Sequence, residues 1–72
     1  MHYFDYDCGI SVSVNLYAPR DNSGAYYRLV QTDIDTGRVI QVRRYAYNTA
    51  GYRAAEKYAK SCLSPAYEIA TL

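Results

Sequence analysis

"HYFDYDCGISVSVNLYA", residues 2–18, alternates between two kinds of side chain for seventeen residues. Its even positions carry His2, Phe4, Tyr6, Cys8, Ile10, Val12, Val14, Leu16 and Ala18. Its odd positions carry Tyr3, Asp5, Asp7, Gly9, Ser11, Ser13, Asn15 and Tyr17. A period of two marks a strand with one apolar and one polar face. A straight strand of this length spans roughly 56 Å, whereas a chain of 72 residues folds to a radius of gyration of about 11 Å. The stretch is therefore expected to bend or turn near Cys8-Gly9, where glycine allows a bulge or kink. The alternative is an overhang, Tyr3–Asp7, that pairs with a second copy. With the even row toward the core, Tyr3, Asp5 and Asp7 are expected to point outward.

The rest of the chain supplies partners for that strand. "PRDNSG" (Pro19–Gly24) concentrates turn formers and predicts a hairpin loop. A second strand is expected from about Ala25 to Ile34, its two faces nearly tied in hydrophobicity. "DTG" (Asp35–Gly37) predicts a tight turn, and "RVIQVRRYAY" (Arg38–Tyr47) a third strand. Asn48 or Thr49 is placed to cap a helix over Ala50–Leu63, in which Tyr52, Ala55, Tyr58, Ala59, Cys62 and Leu63 recur at helical spacing. Ser64-Pro65 stops it. "AYEIATL" (Ala66–Leu72) is long enough for a last strand beside the first. The expected fold is α+β: one domain over residues 1–72, a single antiparallel sheet in the order β-β-β-α-β, with the helix packed on one face.

Composition fits one small ordered domain. Half of the residues are hydrophobic and a fifth are charged, which sets the chain apart from disordered segments. Ten tyrosines supply bulk whose hydroxyls tolerate half-wet sites, useful where a short chain buries only about 60% of its unfolded surface. No apolar run reaches the roughly 20 residues of a membrane span, and the start has no basic and apolar signal-peptide pattern. A cytoplasmic protein is expected. Cys8 and Cys62 then read as reduced thiols on the apolar faces of strand and helix. His2 is the sole histidine, so no metal site and no cofactor are expected.

Charge is segregated along the chain. Residues 38–60 hold six basic residues against Glu56, and residues 1–37 hold Arg20 and Arg28 against five aspartates. Arg53, Lys57 and Lys60 recur at three- and four-residue spacing and form a basic ridge on the helix. If Ile40 and Val42 face the helix, then Gln41, Arg43, Tyr45 and Tyr47 face away from it. Tyr17 joins them, as do Tyr26 and Arg28 under one reading of the second strand. Tyrosine and arginine together suit recognition, because both bring large contact area with polar tips. The same pair stacks on bases and bonds phosphates.

Catalytic chemistry finds little support. "DTG" is shared with aspartic proteases, but their paired carboxylates need a second aspartate and a covered cleft; a hairpin turn explains it here. Asp5 and Asp7 share a face without further ligands, and no nucleophile elbow or phosphate-binding loop is present. No enzyme activity is expected.

Two resemblances bear on function. "GRVIQVRRYAYNTAGYRAAEKYAKSC" (Gly37–Cys62) resembles the last strand and helix of plant AP2-type and phage integrase arm-binding domains, which implies a sheet that reads DNA braced by an alanine-rich helix. In size, tyrosine content and sheet-plus-helix build, the whole chain resembles small phage-encoded anti-CRISPR proteins. That resemblance implies a non-enzymatic inhibitor, monomer or homodimer, acting in the host bacterial cytoplasm on a bacterial protein or nucleoprotein surveillance complex. Its expected partner-binding residues are Arg43, Tyr45, Tyr47, Arg28, Tyr26, Tyr17, Tyr3, Asp5 and Asp7. A small sheet-based DNA- or RNA-binding domain is the alternative.

Overall fold

The computed structural model describes residues 1–20 and 24–70. Its elements are β1 (His2–Asp5), β2 (Ile10–Tyr17), β3 (Tyr26–Asp33), β4 (Val39–Ala46), α1 (Thr49–Ser61) and β5 (Glu68–Ala70). They form one antiparallel five-stranded sheet in the order β4-β3-β2-β1-β5, with the helix on one face. The α+β class and the placing of the last strand beside the first are as expected. Part of the expected Pro19–Gly24 loop lies outside the described residues.

The opening stretch does more than bend. It folds back on itself through a turn at 6–9, where Gly9 takes a φ of 69°, and so yields two strands. This reverses the expected facing of its first half. In the hairpin Tyr3 lies opposite Val12 and Asp5 opposite Ile10, and directly opposed residues share a face. The odd row of β1 therefore lies with the even row of β2, against the helix. Tyr3 and Asp5 are 1% and 0% exposed; only Asp7, in the turn, is exposed as expected. Cys8 also sits in the exposed turn rather than on an apolar face. The Asp5 carboxylate beside it pushes its thiol pKa up.

The core is small. Tyr3, Val12, Val14, Leu29, Ala55 and Ala59 are buried, with Ile10, Tyr27, Tyr45, Tyr58, Cys62, Leu63 and Tyr67 packed around them. Leu16 has the expected facing but is half exposed, near the end of β2. Asn48 caps the helix by accepting the Gly51 N–H at 2.6 Å. Gly51 lies so close to β4 that a Cβ there would sit 1.9 Å from the Ala46 carbonyl oxygen. At the other end of α1, the Asp5 carboxylate accepts the Ser64 N–H and, at 3.2 Å, the Cys8 N–H. These donors, Ser64 first, hold its pKa below the ordinary value despite burial.

Candidate functional site

β3 settles its near tie by register. Leu16 opposes Tyr27, Val14 opposes Leu29 and Val12 opposes Gln31, so the odd row Tyr27, Leu29 and Gln31 faces the helix. Tyr26, Arg28 and Val30 face the open side. β4 follows, because Tyr27 opposes Tyr45, Leu29 opposes Arg43 and Gln31 opposes Gln41. Gln41, Arg43 and Tyr45 therefore lie on the helix side, and Val42 lies on the open side, opposite to expectation. Ile40 and Val42 are 52% and 46% exposed. The physical reason is that β4 is the outermost strand. Its helix-facing Gln41 and Arg43 meet Tyr58 on the flank of α1 rather than the core, so long polar residues suit those positions and short apolar ones are left outside.

The contacts of β4 with α1 are specific. The Tyr58 hydroxyl lies 3.0 Å from Gln41 Nε2, which also donates to Gln31 Oε1 at 2.6 Å. The Arg43 guanidinium stacks over the Tyr58 ring, 4.1 Å from its centre, an attraction of about 0.5–1 kcal/mol at an exposed site. Beside this stack, Tyr45, Ala54, Lys57, Tyr58 and Ser61 line a shallow, largely apolar groove of about 320 Å³. Arg53, Glu56, Lys57 and Lys60 line a second hollow on the outer face of α1, so the basic ridge is a continuous surface. The one ion pair among the described residues is internal to it, Lys60 with Glu56 at 3.1 Å.

The expected site is thus dispersed, with Asp7 alone in the exposed turn at 6–9. Arg43 and Tyr45 lie on the β4–α1 flank, where Lys57 borders the groove; Arg53 stands with Lys57 in the second hollow, and Lys60 lies there paired with Glu56, toward Tyr3 and Tyr67. Tyr17, Tyr26 and Arg28 lie on the open face, where Tyr17 and Tyr26 rings are 5.2 Å apart and Arg44 stacks on Tyr26 at 4.8 Å. Tyr3 and Asp5 are withdrawn into the core and leave the site. Tyr47 is exposed but packs edge-on to Tyr27, on the helix side. Sequence reasoning missed Tyr58 and Gln41 as site residues, since helical spacing marked Tyr58 as core. It also passed over Arg44, whose cross-strand partner is Arg28.

No family model, curated protein or solved structure matches the chain. Among the described residues no helix is long and apolar enough to cross a membrane.

Proposed function

We propose that this chain is a non-enzymatic, protein-binding inhibitor acting in the bacterial cytoplasm, and that it grips an acidic surface of a bacterial protein or nucleoprotein complex with the flank of β4 and α1. The observation that carries this reading is the grouping of Tyr45, Lys57 and Tyr58 around one apolar groove, with Arg43 stacked on Tyr58 and Arg53 in the hollow beyond Lys57. Aromatic rings and an arginine fixed by stacking supply contact area at little entropic cost, and the charges of Arg43, Arg53 and Lys57 select the partner's charge. A nucleoprotein surveillance complex of the CRISPR kind is the particular target that the build of the chain suggests.

Direct binding of nucleic acid would use the same cations. Against it stands their division between two sides of the sheet: Arg28 and Arg44 lie on the open face, Arg53, Lys57 and Lys60 on the helix. A duplex would meet only part of the charge from either side. The test is capture from bacterial lysate with nuclease treatment, comparing the parent with Arg53→Glu/Lys57→Glu. Partners that survive nuclease and are lost from the charge-reversed variant support the reading. Salt-sensitive binding to naked duplex, with a log-log slope of about −4 to −5 for five or six phosphate contacts, would replace it with the nucleic-acid alternative.

A further inference from the structure

β4 ends the sheet. β3 occupies one of its edges and no strand among the described residues occupies the other. Alternate N–H and C=O groups along eight residues are therefore directed outward, the arrangement that templates another strand. Proteins commonly blunt such an edge with charge, and Arg38, Arg43 and Arg44 are placed here with no acidic residue between Arg38 and Ala46.

The charges also say what the edge accepts. Arg43 and Arg44 are adjacent, so their side chains point to opposite faces of the sheet. Arg43 stands on the helix side with Lys57 nearby in the groove beyond Tyr58. Arg44 stands on the open side directly opposite Arg28, and both are exposed. Like charges in opposed positions are destabilising, and stacking of Arg44 on Tyr26 does not neutralise them. A second copy of the chain paired along this edge would bring two sets of these cations together. An acidic strand would relieve the Arg28–Arg44 repulsion on the open face and bring a counter-charge to Arg43 on the helix side.

We infer that the outer edge of β4 is a strand-addition site for an extended segment of a partner protein that carries two adjacent acidic residues. One acid meets Arg44 on the open face, with Arg28 one strand further in, and the next meets Arg43 on the helix side, with Lys57 beyond Tyr58. Backbone pairing supplies the grip, and the adjacent acids fix position along the strand. This deepens the proposed function by naming the mode of binding, and it rests on that reading for the identity of the partner as a protein.

The probe is an acetylated, amidated octapeptide, Thr-Val-Thr-Glu-Glu-Thr-Val-Thr, with a Lys-Lys counterpart and a version N-methylated at alternate residues. Amide hydrogen exchange of the parent is followed at low salt. The expected result is slowed exchange at alternate amides of β4 with the Glu-Glu peptide, and binding at least about tenfold weaker for the Lys-Lys and N-methylated forms. Arg43→Glu/Arg44→Glu, checked by circular dichroism to be folded, is expected to reverse the preference toward Lys-Lys. Equal binding of the N-methylated peptide, or unprotected β4 amides, would overturn strand addition and leave acidic recognition standing. Absence of binding by the Glu-Glu peptide, or dimerisation of the free chain through β4, would also overturn the inference. Failure of the proposed function itself would show separately, as lysate capture unaffected by Arg53→Glu/Lys57→Glu.

Discussion

Replacing Gly51 by alanine sets two effects of opposite sign against each other. In an exposed helix interior alanine is favoured over glycine by about 0.5–1 kcal/mol. At Gly51, however, the new Cβ would lie 1.9 Å from the Ala46 carbonyl oxygen and 2.7 Å from its carbonyl carbon. Both are backbone atoms, so no side chain can rotate aside. Reaching an ordinary C···O contact of about 3.3 Å requires the helix start and the end of β4 to separate by roughly 1.4 Å. The Ala46 carbonyl also accepts the Asn48 N–H at 2.9 Å, and Asn48 in turn caps Gly51. Overpacking of this kind costs about 1–3 kcal/mol, and a weakened cap adds about 1 kcal/mol. The net expectation is a loss of about 1–3 kcal/mol, or a fall in Tm of roughly 5–20 °C at 4–8 °C per kcal/mol for a domain of this size. Thermal melts by circular dichroism read this directly, with Ala54→Gly on the exposed side of the helix as the control for propensity alone. A Gly51→Ala protein that melts at or above the parent temperature would refute the close approach of α1 to β4.

Val14→Asp is expected to unfold the chain, since a buried unpaired carboxylate costs several kcal/mol against a total of about 5–15; Ser13→Asp, on the open face, should shift the melt only slightly, and the reverse order would show the faces of β2 to be misassigned. Tyr58→Phe removes the hydroxyl shared with Gln41 and should lower stability by about 1 kcal/mol in denaturant titrations, while Arg43 keeps a ring to stack on. Asp5 has a folded pKa below its ordinary value of 3.8, so its stabilising effect is fully present above that value and is lost as pH falls through the folded one. Asp5→Asn should therefore be less stable than the parent at neutral pH and show a flatter acid limb below about pH 4; parallel acid limbs would sink the assignment.

The local elements were legible in the sequence because each has a local cause. The Asp35–Gly37 turn, the Asn48 cap and the Ser64-Pro65 stop all act within a few residues, and the observed boundaries lie within a residue or two of the expected ones. Facing was harder. The alternation of residues 2–18 is unbroken in sequence, but a four-residue turn makes it discontinuous in space, and no periodicity within the stretch reveals that Tyr3 and Asp5 change sides. The expectation for β4 failed for a related reason. Ile40 and Val42 are the more apolar row, yet the register against β3 and the irregularity between Gln31 and Thr32 place that row on the open side. Arg53, Lys57 and Lys60 do share one face of α1, with Glu56 among them, because a helix's surface spacing is set by its own geometry. The placing of Arg43 and Tyr45 on the helix side required knowing which way β4 faces.

The bond from Asp5 to Ser64 spans 59 residues of chain, whereas β1 with β2, β2 with β3 and β3 with β4 are each joined by short connections. A folding chain can zip those three hairpins before the two ends of the sheet meet, because local pairings incur little loop-closure entropy. On loop-closure grounds the seam between β1 and the segment after α1 is expected to close last. Contacts absent from the transition state act on the unfolding rate rather than on the folding rate. Asp5→Asn is thus expected to shorten the lifetime of the native sheet while leaving its folding rate nearly unchanged, and an equal slowing of folding would place this seam within the transition state.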